Sequence, residues 1–380
     1  MNFKLTEEQK MIQQAAKDFA ERELLHDVIE RDEKSIYPTE AMKKIVDLGF
    51  IGMMTDPKWG GGGMDTICYV LAMEEISKID SSVGVVLSVT NSLVIWGIET
   101  YGTEAQKEKY LRPLATGEKI GAFLLSEPEA GSDATSQHTT AEDKGDYYLL
   151  NGTKNWITNA NCASTYIVIA QTCPEKKHKG INALIVDKNT PGITLGPHEN
   201  KMGMRSSDTH SVMFNDVKVP KENRIGENGF GFTFAMKTLD GGRIGIAAQA
   251  LGIASGAFER ALKYSKERKA FGTEICNHQS IAFKLADMAV KIENARNLCF
   301  KAAWLKDQHL PYAVASSMAK LYCADIAMEV TTEAVQIHGG YGYVKDYHVE
   351  RLMREAKLTQ IYEGTSEVQK IVISRAILKG

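Results

Sequence analysis

The spacing of apolar and polar residues changes period twice along the chain, dividing it into three regions. Residues 1–120 carry a helical period. Thr6 followed by Gln9 is a capping-box pattern, in which a Thr side chain satisfies free N–H groups at a helix start. The helix it opens is expected to run to about Arg31. Thr39 is placed to cap the next helix, and Gly49 to stop it by taking the left-handed conformation. Gly60 to Gly63 predict a loop, since successive glycines are costly to order in a helix or strand. Thr103 with Gln106 repeats the capping pattern ahead of Tyr110 and Leu111.

From about Gly121 to Ile225 the period is that of strands. Tyr147 to Leu150 runs into Asn151-Gly152, a pair suited to a two-residue hairpin turn, and Trp156-Ile157-Thr158 follows. Segments 166–170, 183–186 and 211–214 read as further strands. From Phe232 the helical period returns. Leu285, Met288, Ile292, Ala295, Cys299 and Ala302 recur at spacings of three and four, while Lys284, Lys291 and Glu293 lie off that stripe. Pro311 interrupts, and further helices are expected from about Ala313 to Ile337 and from about Glu367. The stripes are broad enough to suggest packing between subunits as well as within one. The expected fold class is α+β: an N-terminal all-α domain (1–120), a middle antiparallel β domain (121–231) and a C-terminal α-helical domain (232–380). Helices, then strands, then helices argue against a doubly wound sheet, which alternates the two. Neither a GxGxxG turn nor a GxxxxGK[ST] loop occurs, so any dinucleotide is held by other means.

Composition narrows the function. The 380 residues include 45 Lys+Arg against 48 Asp+Glu, and a net charge of −3 argues against a general nucleic-acid binder. Hydrophobic residues at 43% and charged residues at 24% fit a folded globular chain and exclude disordered or collagen-like classes. Apolar runs stay short of about 18 residues, so no membrane-spanning helix is expected. The start leads straight into the Thr6 cap, so no signal peptide is expected. The six cysteines are scattered without a CxxC pair, which predicts reduced thiols, no structural metal and a bacterial-type cytoplasm. A mature mitochondrial-matrix protein with an added Met would read the same way. The nine histidines form no HExxH pair and no GxSxG elbow occurs, so ordinary hydrolases have no support.

Four segments carry residue types beyond what folding needs, although each has an ordinary explanation. Leu125-Ser126-Glu127-Pro128-Glu129-Ala130-Gly131-Ser132-Asp133 offers hydroxyls and free N–H groups to a polar ligand, or is a plain loop. Trp156 and Thr158, two apart on a strand, share a face: an aromatic wall for a ring-shaped ligand, or a core Trp. Arg268-Lys269-Ala270-Phe271-Gly272, with Gln279 beyond, aims an Arg at a pyrophosphate or closes a helix with cations. Gln336 to Tyr343 is a glycine-rich bend ahead of Ile361-Tyr362-Glu363-Gly364-Thr365-Ser366-Glu367. Thr365 or Ser366 is placed to cap the last helix. Glu363, between an aromatic and a glycine, is placed for a raised pKa and for work as a general base.

Together, in this order, these segments resemble the acyl-CoA dehydrogenases over essentially the whole chain, and most of all the short-chain, butyryl-CoA type. The resemblance implies an N-terminal helical domain, a middle β domain and a C-terminal four-helix bundle, in a homotetramer that binds FAD. It implies that Phe123, Leu125, Ser126, Gly131 and Ser132 line the flavin, that Trp156 and Thr158 stack on it and bond to it, and that Thr365 and Glu367 complete the site. Arg268, Phe271, Gln279, Gln336 and Gly340 would serve the dinucleotide from a neighbouring subunit. Ser132, Asp240, Arg243, Tyr362 and Gly364 would meet the acyl-CoA substrate. Glu363 would remove the Cα proton while the Cβ hydride passes to flavin N5, giving a trans-2-enoyl-CoA. An electron-transferring flavoprotein would then take the electrons. Some relatives place the base in an earlier helix, at the position of Gly242 here; glycine cannot take a proton, which leaves Glu363. Gly84 stands where glutaryl-CoA dehydrogenases carry an Arg. Three residues depart from the family pattern: Leu124, expected to alter flavin packing or the acyl pocket, and Trp59 and His348, expected to affect loops. An acyl-CoA oxidase, which generally carries an extra C-terminal domain, and a non-catalytic acyl-CoA-binding scaffold are the alternative functions.

Overall fold

A computed structural model describes residues 4–379; Met1 lies outside them. Helices fill both ends of the chain and one sheet fills the middle. α1 (Glu7–Phe19) starts at the Thr6–Gln9 capping box, with both reciprocal bonds formed. It does not run to Arg31. A π-helical stretch, Ala20–Leu24, ends it, and α2 (Val28–Lys34) restarts after Asp27. The break lets Arg31 bond Asp27 at 2.8 Å and reach the buried Asp80 at 2.5 Å. α3 (Thr39–Asp47) begins with Thr39 inside the helix, and Pro38 holds the cap position without a side-chain bond. α4 (Thr66–Ser77) is buried throughout except at the half-buried Ile67. α5 (Ser81–Ser88), π-helical Val89–Ile95 and α6 (Trp96–Tyr101) form one rod. By length and hydropathy this rod could cross a membrane, contrary to the sequence expectation, but its most apolar window is 94% buried inside the protein. It is a core helix. α7 (Glu104–Gln106) opens at the Thr103–Gln106 capping box and continues through α8 (Arg112–Ala115).

The sheet contains β1 (Gly121–Leu124), β2 (Thr140–Asp143), β3 (Tyr147–Thr158), β4 (Thr165–Gln171), β5 (Ile181–Asp187), β6 (Ile193–Leu195), β7 (Thr209–Pro220) and β8 (Arg224–Ile225). Their order is β6-β7-β3-β2-β4-β5-β8, with β1 also on β4. Pairing is antiparallel except where β1 and β2 meet β4. Asn151-Gly152 is not a hairpin turn. It lies inside the twelve-residue β3, where the register against β7 shifts between Leu150 and Gly152. Gly152 has φ +139 there, and a Cβ would strike Thr139 at 2.7 Å. The pair therefore makes a bulge that bends the strand. The turn into β3 lies earlier, at Gly145 (φ +91).

Alternation along β4 divides the core. Ile167 and Ile169 join the core that runs through the helices, while Tyr166, Val168 and Ala170 join a second core on the other face of the sheet. β1 does the same: Phe123 faces the helices and Leu124 packs, fully buried, into the second core. Leu124 is thus a sheet-core residue and lines none of the cavities described below.

After β8 come α9 (Gly231–Glu267), a small hairpin of β9 (Lys269–Ala270) and β10 (Thr273–Glu274), α10 (Gln279–Asp307), α11 (Ala313–His338), α12 (His348–Thr359) and α13 (Ser366–Leu378). α9 is buried continuously from Gly241 to Ala257 and serves as the hub of a bundle with α10, α11 and α12. The stripe from Leu285 to Ala302 on α10 is buried as its spacing predicts.

Candidate active site

The turn between α12 and α13 holds Glu363 (φ +49) and Gly364 (φ +92) in the left-handed region. For Glu363 this conformation costs roughly 1–2 kcal/mol, so the surroundings must impose it. Two buried side chains and the half-buried Tyr362 do. Lys320 on α11 donates to the Gly364 carbonyl at 2.7 Å. Gln369 on α13 donates to the same carbonyl at 2.9 Å and to that of Glu363 at 3.3 Å. Tyr362 donates to Gln249 of α9, whose amide in turn donates to the Ser81 carbonyl at 2.7 Å. Beyond the turn, Thr365 caps α13, accepting from the Val368 N–H at 3.2 Å.

The Glu363 carboxylate lies over α9. The residue as a whole is half-buried, but both carboxylate oxygens are buried and have no hydrogen-bond partner. Burial pushes its pKa up to about 7, while Lys320 and Arg243 pull it back down. The close approach needs glycine on α9. A Cβ at Gly242 would lie 2.1 Å from Oε2 of Glu363 and 2.7 Å from Leu93. A buried, unpaired carboxylate near neutrality has the affinity a general base needs.

Two cavities, of about 560 and 530 Å³, share Glu363 as a wall. Ser126, Gly131, Ser132, Trp156, Thr158, Tyr362 and Gly364 line both. The first also meets Thr365, Lys201, Met204 and Arg354. The second also meets Val89, Leu93, Phe123, Leu125, Met236 and Leu239, and reaches Arg243 and Arg375. Trp156 and Thr158 do share a face, but by way of a second bulge. The β3–β7 register slips between Lys154 and Ile157, Trp156 takes φ +60, and its side chain stands 61% exposed. Beneath the Leu125–Ser126 turn, the fully buried Lys154 donates to the Leu125 carbonyl at 3.0 Å, to Glu127 at 2.7 Å and to Gln137 at 2.5 Å. Asp240 and Arg243 pair at 2.5 Å, and Arg243 also reaches Ser317 at 3.3 Å. Burial raises the pKa of Asp240 and lowers that of Arg243.

The remaining sequence candidates lie elsewhere. Arg268 and Gly340 line a separate cavity of about 490 Å³ with Tyr264, His338 and Tyr341. Phe271 stands 96% exposed at the tip of the β9–β10 hairpin, and Gln279 and Gln336 are exposed. Glu367 is exposed in the first turn of α13, outside both Glu363 cavities. Trp59 is buried in the helical core and His348 opens α12. Among the described residues no group of three or more His, Cys, Asp and Glu is arranged to hold a metal ion. Sequence reading missed Lys320, Gln369, Gln249 and Lys154. Lys320 left one signal: it interrupts a small-residue stripe formed by Ser316, Ser317, Ala319, Cys323 and Ala324.

Three family models match in succession: the acyl-CoA dehydrogenase N-terminal domain over residues 6–118, the middle domain over 122–217 and the C-terminal domain over 229–378. The chain is 52% identical to a short-chain specific acyl-CoA dehydrogenase of Clostridium acetobutylicum, covering 100% of both. The butyryl-CoA dehydrogenase structure from Megasphaera elsdenii superposes with a TM-score of 0.98 at 52% identity and full coverage of both chains. A chain solved in work on the electron-transferring flavoprotein of Acidaminococcus fermentans and flavin-based electron bifurcation matches with a TM-score of 0.99 at 52% identity, again over both full lengths.

Proposed function

This chain belongs to the acyl-CoA dehydrogenase family and is an oxidoreductase of that kind; on that premise we propose that it carries out the FAD-dependent α,β-dehydrogenation of a short straight-chain acyl-CoA, butyryl-CoA foremost, to the trans-2-enoyl-CoA. The observation that carries the reading is the Glu363 carboxylate: buried, unpartnered on both oxygens, and a wall of both cavities.

In this reading Glu363 is the catalytic base. The thioester carbonyl acidifies the Cα–H bond, and a Glu363 oxygen takes that proton. The backbone N–H of Glu363 donates to the thioester oxygen as negative charge develops there. Exclusion of water keeps the carboxylate basic. Ser132, Asp240, Arg243, Tyr362 and Gly364 position the acyl-CoA.

FAD fits the residues present. The outward indole of Trp156, beside the Ser126 and Thr158 hydroxyls, suits a flat ring with polar edges. Phe123, Leu125, Ser126, Gly131, Ser132, Trp156, Thr158, Thr365 and Glu367 would hold it from this subunit. Arg268, Phe271, Gln279, Gln336 and Gly340 would serve a neighbour's dinucleotide, which accounts for their distance from Glu363. The chemistry FAD supplies when bound is acceptance of the hydride leaving Cβ. A homotetramer is the proposed assembly. Phe283, Val290 and Trp304 of α10 stand 50–62% exposed, as an interface would leave them in a single subunit. An electron-transferring flavoprotein is the proposed acceptor, given the similarity to the Acidaminococcus fermentans chain. The bacterial relatives support a cytoplasmic setting.

The test is anaerobic titration of the purified yellow protein with butyryl-CoA, octanoyl-CoA and isovaleryl-CoA. Bleaching by butyryl-CoA is expected. Bleaching only by another ligand moves the substrate, and unchanged colour with all three refutes the dehydrogenase reading. Glu363→Gln should keep its colour and ligand binding and lose about 10²–10⁴-fold in turnover.

A further inference from the structure

Lys320 is fully buried, and its position on α11 faces the turn that carries Glu363. Among the described residues its one hydrogen bond goes to the Gly364 carbonyl, at 2.7 Å. An ammonium is a costly way to fill a core position, since a buried charge needs compensation that a Met or Leu would not. Gln369 already supplies a neutral donor to the same carbonyl. The feature peculiar to Lys320 is therefore its charge. We propose that Lys320 is a positioning residue for Glu363: seated on the Gly364 carbonyl, it fixes the left-handed turn and holds a positive charge beside the carboxylate that takes the substrate proton. This rests on the reading of Glu363 as the base.

The surrounding charges are few. On α9, Asp240 and Arg243 face this region and largely pair with each other. On α11, Asp325 lies near Lys320 but accepts from Gln360 at 2.8 Å and Ser366 at 3.2 Å. Glu367 of α13 adds a weaker influence on Lys320 from an exposed position. The Tyr69 and Tyr362 phenols face Glu363 and stay neutral, because burial raises both. Burial lowers Lys320 to about 8, so its ammonium persists at neutral pH. Its loss should make Glu363 harder to ionise, since a nearby cation favours the charged form of a carboxylate.

The experiment uses FAD-loaded Lys320→Met, Lys320→Gln and Lys320→Arg, with Glu363→Gln in parallel. It reads the pH dependence of kcat/KM with butyryl-CoA. It also reads the protonated Glu363 carboxyl band by infrared difference against Glu363→Gln, which needs no turnover. Lys320→Met and Lys320→Gln should move both the acid limb and the carboxyl titration upward by about one pH unit. On the acid limb that is a loss of about tenfold. In both variants KM should change little. Lys320→Arg, which keeps the charge, should leave the limb near its wild-type place. If Lys320→Met fails to fold, Lys320→Gln carries the same comparison. An unmoved limb and an unmoved carboxyl band overturn the proposal. Near-wild-type turnover in Glu363→Gln instead overturns the base reading itself, whatever Lys320 does.

Discussion

Gly242→Ala places one methyl group against the proposed base and its neighbour Leu93. The new Cβ would lie 2.1 Å from Oε2 of Glu363 and 3.2 Å from its Cδ, where ordinary contact begins at 3.4 Å. The carboxylate must therefore move by more than an ångström. Leu93, whose Cδ2 lies 2.7 Å from the new atom, must also shift. Misplacement of a reacting group by about 1 Å costs on the order of 10²-fold, equivalent to about 2.7 kcal/mol of barrier. Stability should respond less. Replacing a helical glycine with alanine gains up to about 1 kcal/mol, which offsets only part of the about 1–3 kcal/mol that crowding a core costs. Gly241→Ala is the control, because its nearest neighbour would be 3.9 Å away. Steady-state kinetics with butyryl-CoA, flavin absorbance and thermal melts on both variants make the assay. The expected outcome is a full flavin complement in both, with turnover lost only in Gly242→Ala. Turnover within about threefold of wild type in Gly242→Ala, against the 10²-fold expected, would refute the placement of Glu363 as base.

Other perturbations reach other parts of the argument. Because Glu363 must be ionised to take a proton, kcat/KM should climb as pH rises through about 7 and fall away below it; a flat profile across neutrality would separate Glu363 from the chemistry. Its raised folded-state pKa also means that the folded protein binds a proton more tightly than the unfolded chain. The stability linked to that proton is present below about 4.5 and is lost as pH rises to about 7. Glu363→Gln should therefore gain up to about 3 kcal/mol over wild type at pH 8 and nothing at pH 4, as read by denaturant melts. Lys154→Met strands the buried Glu127 and should cost about 3–5 kcal/mol, with Lys154→Met/Glu127→Gln recovering part of it; equal melts for the single and double variants would count against the pair. Leu124→Ala should cost about 2–5 kcal/mol and leave the flavin spectrum and butyryl-CoA titration unchanged, since Leu124 packs into the sheet core.

What could be read from sequence follows from how far each feature reaches along the chain. The Thr6 and Thr103 capping boxes need only three residues, and both form as expected. The α10 stripe follows from helical spacing against one core, and its residues are the buried ones. Asn151-Gly152 has the local chemistry of a turn, but its neighbours on both sides pair with the same strand, β7, so the pair becomes a bulge. Trp156 looked like a regular strand position. Its outward indole depends on a register slip that only the partner strand defines. The rod from Ser81 to Tyr101 carries enough polar residues to break any apolar run, yet its hydropathy matches a membrane helix because the protein surrounds it on nearly every side. Lys320 was visible only as an anomaly on a small-residue stripe; its partner, the Gly364 carbonyl, lies 44 residues away.

The arrangement around Glu363 sets two opposed demands against each other. A base for a weakly acidic Cα–H needs high proton affinity, which burial supplies. It must also be ionised at neutral pH, and burial opposes that. Raising a carboxyl from 4.5 to about 7 corresponds to about 3 kcal/mol against ionisation. Full burial without nearby cations would push it higher still, leaving a mostly protonated acid with little basic form to react. Lys320 and Arg243 limit that rise without touching the carboxylate, since neither forms an ion pair with it and both oxygens remain unbonded. A direct ion pair would ionise Glu363 more fully but occupy the lone pairs that would take the proton in the proposed reaction. Placing the cations beside the turn, one on the Gly364 carbonyl and one on Asp240, keeps those lone pairs free. The same reasoning explains why the carboxylate rides on a strained turn and not on α9. At Gly242 a side chain would enter the space the Glu363 carboxylate fills, so a base delivered from α13's approach and a side chain delivered from α9 exclude each other.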